Sequence, residues 1–346
     1  MKSVSCGIEY IDDFGAIVFG LTVEEFEAEG FALGDLIDVS FSGGVHCERV
    51  PYFNGYYVNI NEPAIVSYPG YDRPTFALNC ARTSDVLGIT ADETITFTLA
   101  EKGAALETMR VRAVRYSHDP ADYADPNAYI NAREIRAGRI HPGTLYRCAS
   151  PFDNLMNRAP YAAAFLEEHG IRTTLSLSET PETLEERLDI MPAYSRELYE
   201  SGGVIPCGCG SDYFYPAFAK KVADGLRALL TKPFPCAVHC LEGKDRTGFV
   251  CLVVESLMGA EYDEIIAEFM QTYKSYYGIT EATDPIRWNG FKKTFPDSEM
   301  AFLSGRPRGE KPSVEELQAG ARSYLKLGGM TDGEIDRLVE RLESGK

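Results

Sequence analysis

The sequence is short of positive charge. Its 34 lysines and arginines are outnumbered by 52 aspartates and glutamates, so the 346 residues carry a formal net charge of −18. A surface this acidic repels nucleic acids and anionic membranes. The charge balance therefore argues against a general role in binding either, and we expect no nucleic-acid partner.

Long apolar runs are also missing. The longest, residues 249–258, contains Glu255 and is too short to span a bilayer. The first thirteen residues contain no apolar segment typical of a signal peptide. We therefore expect a cytoplasmic protein without stable membrane insertion.

The cysteines do not form a disulfide framework. They number nine, an odd count in a long chain, and several lie in apolar runs, which favours free thiols in a reducing compartment. The five histidines show no ligand spacing, and Cys207-Gly208-Cys209 supplies only two thiols. We predict no metal site from this pattern.

The first part of the chain is rich in short β-like runs. Glycine, proline, aspartate and asparagine interrupt these runs, which predicts a small β-barrel or sandwich over residues 1–115. The runs are residues 7–11, 16–20, 36–41, 56–60, 64–68 and 94–99. Two Asp-Pro steps, at residues 119–120 and 125–126, then predict a linker over residues 116–127.

The second part, residues 128–346, alternates helix-like and strand-like segments. Such alternation predicts a mostly parallel sheet covered by helices on both faces. Strands are expected at residues 171–177 and 235–239. Helices are expected at 161–169, 182–199 (split by Pro192), 215–230, 247–258 and, as a pair around Gly328-Gly329, 313–342. The acidic start of the second helix, residues 179–186, is expected to be solvated.

One segment carries recognisable chemistry. Residues 238–248 read Val-His-Cys-Leu-Glu-Gly-Lys-Asp-Arg-Thr-Gly, with a buried strand ending at Cys240 and a helix starting near Arg246. Such a loop directs backbone N–H groups and the positive end of a helix dipole toward one point, which binds a dianionic phosphate and stabilises a thiolate. Arg246 adds a planar fork for two phosphate oxygens. Cys240 is therefore a candidate nucleophile toward phosphorus.

This His-Cys-x5-Arg-Thr pattern resembles the signature of the protein tyrosine phosphatase superfamily, and its Gly-Lys-Asp-Arg-Thr-Gly form resembles the bacterial tyrosine and dual-specificity phosphatases. Residues 139–147, Arg-Ile-His-Pro-Gly-Thr-Leu-Tyr-Arg, and residues 321–342 resemble two further segments of that family. The resemblance covers about residues 128–346. It implies an α/β cysteine-phosphatase fold, with a central mostly parallel sheet flanked by helices.

The resemblance also implies roles for the signature residues. Cys240 would attack and form a phosphocysteine, and Arg246 would bind the phosphoryl oxygens and the transition state. His239 would order the loop and help to keep Cys240 deprotonated, and Thr247 would donate a hydrogen bond to the sulfur. The implied phosphate-binding residues are Leu241, Glu242, Gly243, Lys244, Thr247 and Gly248. No cofactor is required, because amides and arginine supply the electrostatic stabilisation.

The sequence leaves more than one candidate for the general acid and for the substrate. Asp245 matches an aspartate within the signature that is a proposed acid in the bacterial subfamily, and Asp212 is the runner-up, upstream at the distance of a movable acid loop. Lys244 either binds a second phosphate of the substrate, as in phosphoinositides, or only offsets the negative charges of Glu242 and Asp245. We expect the preferred substrate to be phosphotyrosine in a protein, or a small phosphomonoester. Phosphoinositides or phosphoserine and phosphothreonine are the next candidates. The alternative is a phosphate-recognition module without turnover.

Two further expectations concern the flanking residues. Segments 7–15, 34–39, 64–71 and 87–90 are similar to the C-terminal β-domain of S-adenosylmethionine hydroxide adenosyltransferases, although Ala16 replaces their usual asparagine. The catalytic aspartate of that family lies in another domain, so this resemblance implies a binding or docking role. Separately, Cys148, Cys207 or Cys209 could trap oxidised Cys240 as a disulfide, as an alternative to inert thiols.

Overall fold

The computed structural model describes residues 3–346. The chain divides into two compact units, residues 1–114 and 115–346. All residues of the signature lie in the second unit. None of the helices in the described part is both long and apolar enough to cross a membrane.

The described residues of the first unit form a closed seven-stranded barrel, in the order β1-β2-β6-β5-β4-β3-β7. Strand β7 pairs with both β1 and β3 and so closes the barrel, and only β4 and β5 run parallel. The strands are Ser3–Ile11 (β1), Ile17–Phe19 (β2), Leu36–Phe41 (β3), His46–Phe53 (β4), Pro63–Val66 (β5), Thr75–Leu78 (β6) and Thr94–Glu101 (β7). Three helices accompany them: Val23–Ala28 (α1), Thr83–Leu87 (α2) and Leu106–Arg112 (α3). The predicted small β-unit is confirmed as a barrel.

Alternating side chains explain why these segments become barrel strands. In β3 every second residue (Ile37, Val39, Phe41) is buried, because successive side chains of a strand point to opposite faces. Aromatic rings fill the centre: the Phe97 ring lies 4.7 Å from that of Phe19 and 5.1 Å from that of Phe26. The barrel therefore has a hydrophobic core of its own.

One expected strand is wrong. Residues 56–60 form a loop, although Val58 and Ile60 are buried in it. The strand at this point of the barrel is β4, in which Glu48 and Arg49 are exposed while Val50 and Tyr52 are buried. Apolar side chains can be buried in a loop as well as in a strand. The first residues of β4 are polar, so its sequence does not show the apolar pattern of a strand.

The second unit contains a five-stranded sheet in the order β11-β10-β12-β9-β8 over its described residues. The strands are Arg133–Glu134 (β8), Leu145–Ala149 (β9), Thr173–Ser176 (β10), Val204–Pro206 (β11) and Cys236–Cys240 (β12). All neighbouring pairs are parallel except β8 with β9. Strand β12, which carries the signature cysteine, lies at the centre of the sheet.

Helices connect these strands and follow the last of them. They are Pro126–Tyr129 (α4), Ala159–Glu168 (α5), Pro181–Glu186 (α6), Ala193–Glu200 (α7), Pro216–Leu229 (α8), Asp245–Leu257 (α9), Tyr262–Tyr277 (α10), Pro285–Thr294 (α11), Pro296–Ser304 (α12), Val314–Leu327 (α13) and Asp332–Ser344 (α14), with 3-10 turns at Pro120–Asp122 and Leu188–Ile190. The predicted helices agree within a few residues, and Pro192 interrupts the second one as expected.

Residues 116–127 pack within the second unit. The Tyr116 ring stacks on that of Tyr276 in α10, with centroids 5.1 Å apart. Tyr123 packs against Tyr129 at 5.1 Å. These contacts give the segment ordered partners in the unit that contains the signature.

Candidate active site

Cys240 is the last residue of the central strand β12. It pairs with Ala149 of β9, and only 4% of its surface is exposed. Residues 241–244 form a loop, and α9 begins at Asp245. A loop that joins the carboxyl end of a parallel strand to a helix is a common position for a ligand site in α/β folds.

Every carbonyl oxygen of this loop accepts a hydrogen bond from a group outside the loop. The Leu241 oxygen accepts from the Ser150 N–H at 3.2 Å, and the Glu242 oxygen accepts from the Tyr276 hydroxyl at 2.5 Å. The Gly243 oxygen accepts from Asn131 Nδ2 at 2.8 Å and from Arg147 Nη2 at 2.7 Å. By contrast, the loop's own N–H groups, at residues 241–244, donate to no acceptor in the described part of the chain.

Arg246 lies in the first turn of α9, beside the loop. Its Nη1 donates to the Cys209 carbonyl oxygen at 3.0 Å. Burial would lower the pKa of Arg246, but the nearby Cys240 sulfur favours the guanidinium cation and the pKa lies above its ordinary value. The signature thus brings together a buried thiol, unpaired amides and a cation, an arrangement that is chemically suited to a tetrahedral oxyanion.

His239 lies under the loop, fully buried, next to Glu179. Burial lowers the pKa of His239 to about 4, although Glu179 opposes the shift. Its Nδ1 is 3.9 Å from Glu179 Oε2, and within the described chain neither ring nitrogen has a hydrogen-bond partner. The imidazole is therefore neutral at neutral pH, so the positive groups near Cys240 are Arg246 and the loop amides.

Glu179 is buried, which corrects one residue of the solvated helix start expected at residues 179–186; Glu182, Glu185 and Glu186 of α6 are exposed as expected. Hydroxyl groups of Ser150, Ser176 and Ser178 donate to its carboxylate at 2.5, 2.5 and 2.6 Å. Burial would raise the pKa of Glu179, but the positive charge that His239 gains at acid pH and these three hydroxyls outweigh burial and lower the pKa. A buried anion thus lies beneath the signature strand.

Lys244 is held by three neighbours. Its Nζ lies 3.4 Å from Glu242 Oε2, 3.6 Å from Asp245 Oδ2 and 3.2 Å from the Tyr277 hydroxyl. Burial would lower the pKa of Lys244, but Asp245 and Glu242 raise it well above its ordinary value. Lys244 is thus a permanent cation whose charge is offset by two carboxylates.

Comparison with known proteins agrees with this geometry. Residues 211–344, which include the whole signature, match the tyrosine phosphatase family. This segment is therefore similar to the tyrosine phosphatase family.

A curated relative is the triple specificity protein phosphatase PtpB of Mycobacterium tuberculosis, 23% identical over 132 residues. The match covers 35% of this chain and 48% of the relative, so the chain spans about half the length of the curated relative it matches. A crystal structure of an uncharacterized conserved protein from Thermotoga maritima shares 16% identity over 28% of this chain and 35% of the other, with a TM-score of 0.25. The resemblance of residues 7–103 to adenosyltransferases stays a prediction.

The two candidate acids lie in different elements. Loss of water around its carboxyl raises the pKa of Asp245, although Lys244 opposes the shift. Asp212 lies in the loop between β11 and α8, three positions after Cys209, whose carbonyl accepts from Arg246. The structure therefore leaves two aspartates as candidates.

Thr247 differs from the expectation. Its hydroxyl is buried and has no hydrogen-bond partner in the described part of the chain. The expected hydrogen bond from Thr247 to the Cys240 sulfur is thus not formed. The following residue, Gly248, packs against Phe269 of α10: a Cβ at Gly248 would lie 2.7 Å from that ring, so the glycine permits close approach of the two helices.

The three cysteines considered as partners for Cys240 are all free thiols. Cys148 is fully buried on β9, paired with His239, and burial raises its pKa. A hydrogen bond with Cys209, together with burial, raises the pKa of Cys207. Raised thiol pKa values make spontaneous oxidation slow, and disulfide trapping of Cys240 stays a prediction.

Sequence reasoning missed four functional candidates: Asn131, Arg147, Tyr276 and Glu179. Arg147 lies in the family-like segment 139–147, which is a weak signal, whereas Tyr276 lies outside the family-like segments. Asn131 and Glu179 carried none. Their partners are 112 and 60 positions away in the chain, at Gly243 and His239, which only folding brings together.

Proposed function

We propose that residues 115–346 have the cysteine-phosphatase fold and hydrolyse phosphomonoesters, phosphotyrosine foremost, through a phosphocysteine. The observation that carries this proposal is the hydrogen bonding of the loop after Cys240. The carbonyl groups of the loop accept hydrogen bonds from residues outside it, whereas its N–H groups are unpaired, and Arg246 lies beside the sulfur. The match of residues 211–344 to the tyrosine phosphatase family supports the same activity.

The reaction has two steps. The Cys240 thiolate attacks phosphorus, the bond from phosphorus to the substrate oxygen breaks, and that oxygen takes a proton from the general acid. A water molecule then attacks the phosphocysteine, gives a proton to the same carboxylate and releases phosphate with the thiolate regenerated. Loop amides and Arg246 stabilise the charge on the phosphoryl oxygens in both steps.

We assign the acid role to Asp245, with Asp212 as the second candidate. Asp245 is the first residue of the helix that follows the loop, which places its carboxyl beside the signature, and burial raises its pKa although Lys244 opposes the shift. Replacing Asp245 by Asn should slow hydrolysis most for substrates with poor leaving groups and least for aryl phosphates with good ones. If only Asp212→Asn behaves in this way, the assignment moves to Asp212.

The surroundings of Lys244 favour a substrate with a single phosphate. Two carboxylates within 3.6 Å offset its charge, which leaves little attraction for a second phosphate. Beside it lie the aromatic rings of Tyr116, Tyr276 and Tyr277, whose centroids are 5.1 to 6.1 Å apart. Tyr276 is buried, but Tyr116 and Tyr277 are partly exposed, and a flat aromatic leaving group suits their rings better than an inositol ring with several phosphates does.

Phosphate release by the full chain tests the proposal. The panel holds phosphotyrosine, phosphoserine and phosphothreonine peptides, phosphoinositides and nucleotides, all with EDTA present. Wild type should release phosphate from phosphotyrosine peptides, and Cys240→Ser should not, while orthovanadate or phosphate binding persists. Cys47→Ser, in the barrel, is the matched control and should retain activity.

Two outcomes would contradict the proposal. Full activity of Cys240→Ser would exclude the phosphocysteine mechanism. Vanadate binding by wild type without release from any substrate would favour the recognition module, and attention would then turn to the barrel.

A further inference from the structure

We infer that Asn131, Arg147 and Tyr276 are positioning residues that hold the phosphate-binding loop by its carbonyl oxygens. The inference rests on the proposed function, because it assigns a role within the same site. Asn131 and Arg147 both donate to the Gly243 oxygen, at 2.8 and 2.7 Å, and the Tyr276 hydroxyl donates to the Glu242 oxygen at 2.5 Å. We call these three side chains the carbonyl clamp.

Peptide geometry connects the clamp to phosphate binding. In a planar trans peptide the C=O and the following N–H point in opposite directions. Holding the Gly243 carbonyl on one side therefore turns the Lys244 N–H to the other side, and holding the Glu242 carbonyl does the same for the Gly243 N–H. These are two of the unpaired amides that would bind the phosphoryl oxygens.

Gly243 is the position where the loop most needs this support. Its φ is +63°, and glycine can leave that conformation at little steric cost. A flipped Gly243–Lys244 peptide would replace an N–H donor by a carbonyl oxygen facing the anion. Such a change converts stabilisation of the bound oxyanion into repulsion.

The clamp residues are themselves held in place. Arg133 Nη1 donates to Asn131 Oδ1 at 2.6 Å, which orients the amide so that Nδ2 faces the Gly243 oxygen. Arg147 is fully buried, and its Nη1 pairs with Glu268 Oε2 at 2.8 Å. Side chains locked by their own partners are what a preorganised site requires.

Asn131→Gly is the sharpest test, because Asn131 has a φ of +53° that glycine adopts freely. The variant removes the amide without straining the backbone. We expect the affinity for orthovanadate and kcat to fall by about tenfold, the size of the lost hydrogen bond to the Gly243 oxygen. Tm should also fall, because the hydrogen bonds with Thr272 and Arg133 are lost as well. Asn61→Gly is the matched control: it makes the same change at a φ of +64° in the barrel and should leave both constants unaltered.

A second pair of variants tests the tyrosine. Tyr276→Phe removes only the hydroxyl that holds the Glu242 oxygen, and we expect a loss of about three- to tenfold in vanadate affinity and kcat. Tyr194→Phe is its control, since the Tyr194 hydroxyl also donates to a backbone carbonyl, that of Ile171 at 2.8 Å, but in another part of the unit.

The measurements separate this inference from the proposed function. If wild type hydrolyses phosphotyrosine but Asn131→Gly and Tyr276→Phe match their controls in kcat and vanadate affinity, the clamp is overturned and the phosphatase stands. If wild type binds vanadate without turnover, the clamp still requires weaker vanadate binding by Asn131→Gly than by Asn61→Gly.

Discussion

Two glutamates, Glu255 and Glu299, are completely buried in the second unit. None of their four carboxyl oxygens has a hydrogen-bond partner among the described residues. Burial raises the pKa of both well above the ordinary value, and the Glu268 carboxylate adds to the shift at Glu255. The raised pKa favours the protonated form of both carboxyls.

Glu255→Gln should stabilise the protein at alkaline pH. The unfolded chain releases the Glu255 proton above its ordinary pKa near 4.5, whereas the folded chain keeps it, so wild-type stability falls as pH rises through and above this value. Glutamine has no proton to lose. We expect a gain of about 1–3 kcal/mol at pH 8 and little at pH 4, measured by urea unfolding.

The control for this prediction is Glu340→Gln, which makes the same change at an exposed position of α14. It should leave stability nearly unchanged at both pH values. An equal effect of the two substitutions would show that Glu255 is charged in the folded protein.

His239 is the second residue whose protonation matters. Its pKa is lowered to about 4 by burial, so the folded state keeps the imidazole neutral while the unfolded chain gains a proton below about pH 6.5. Stability contributed by the neutral imidazole is thus present above pH 6.5 and is lost as pH falls toward 4.

We expect the His239 imidazole nitrogens to show no titration between pH 8 and pH 5 when followed by heteronuclear NMR. The free energy of unfolding should decline over pH 6.5 to 4. A titration midpoint of 6.5 or higher would mean that His239 forms a charged pair with Glu179 and would contradict the prediction.

At the scale of elements, the junction of β12 and α9 depends on close contact with β9. The Gly243 backbone lies against the carbonyl of Cys148 at the end of β9, and a Cβ at Gly243 would overlap that oxygen. The loop and the neighbouring strand therefore hold each other in position. Parallel pairing of β9 with β12 brings this contact about.

Gly243→Ala should destabilise the second unit and abolish vanadate binding. The new methyl group meets the Cys148 carbonyl and also strains a backbone with a φ of +63°. Gly305→Ala separates these causes, because Gly305 has a φ of +72° with no atom within 4 Å of a Cβ there. We expect about 1–2 kcal/mol for Gly305→Ala and more for Gly243→Ala, from urea unfolding. If both substitutions lower the free energy of unfolding by the same amount, the contact between Gly243 and β9 has no role in stability.

At the scale of the whole molecule, every candidate catalytic side chain lies in the second unit, while the barrel has its own aromatic core. The family match, at residues 211–344, does not include the barrel. Stability of the barrel and chemistry at Cys240 should therefore respond to different substitutions.

Phe97→Ala should cost the barrel about 3–5 kcal/mol, as expected for a fully buried ring, and leave kcat and KM unchanged at temperatures where the barrel is folded. Phe249→Ala removes an equally buried ring from α9, directly after Gly248, and should reduce both stability and activity. Circular dichroism and phosphatase kinetics on the same samples give the comparison. Loss of activity in folded Phe97→Ala would contradict the separation.

Local pattern was enough to predict strands β10 and β12 and most helices of the second unit, but not strands β8, β9 and β11 or helices α10, α11 and α12. The strand ending at Cys240, the helix after it and the break at Pro192 follow from apolar periodicity and backbone chemistry over a few adjacent residues. In the barrel, residues 56–60 and β4 were not predictable, because tertiary packing there outweighs local propensity.

The sequence by itself determined the order of the two units, the chemistry expected at Cys240 and Arg246, and the loop that joins them, because these residues are neighbours in the chain. Only the tertiary structure decided what surrounds that loop. Asn131, Arg147 and Tyr276 reach its carbonyls, Glu179 lies beneath His239, and Lys244 is enclosed by carboxylates. Contacts between residues far apart in sequence depend on how strands and helices pack, and no local pattern records that packing.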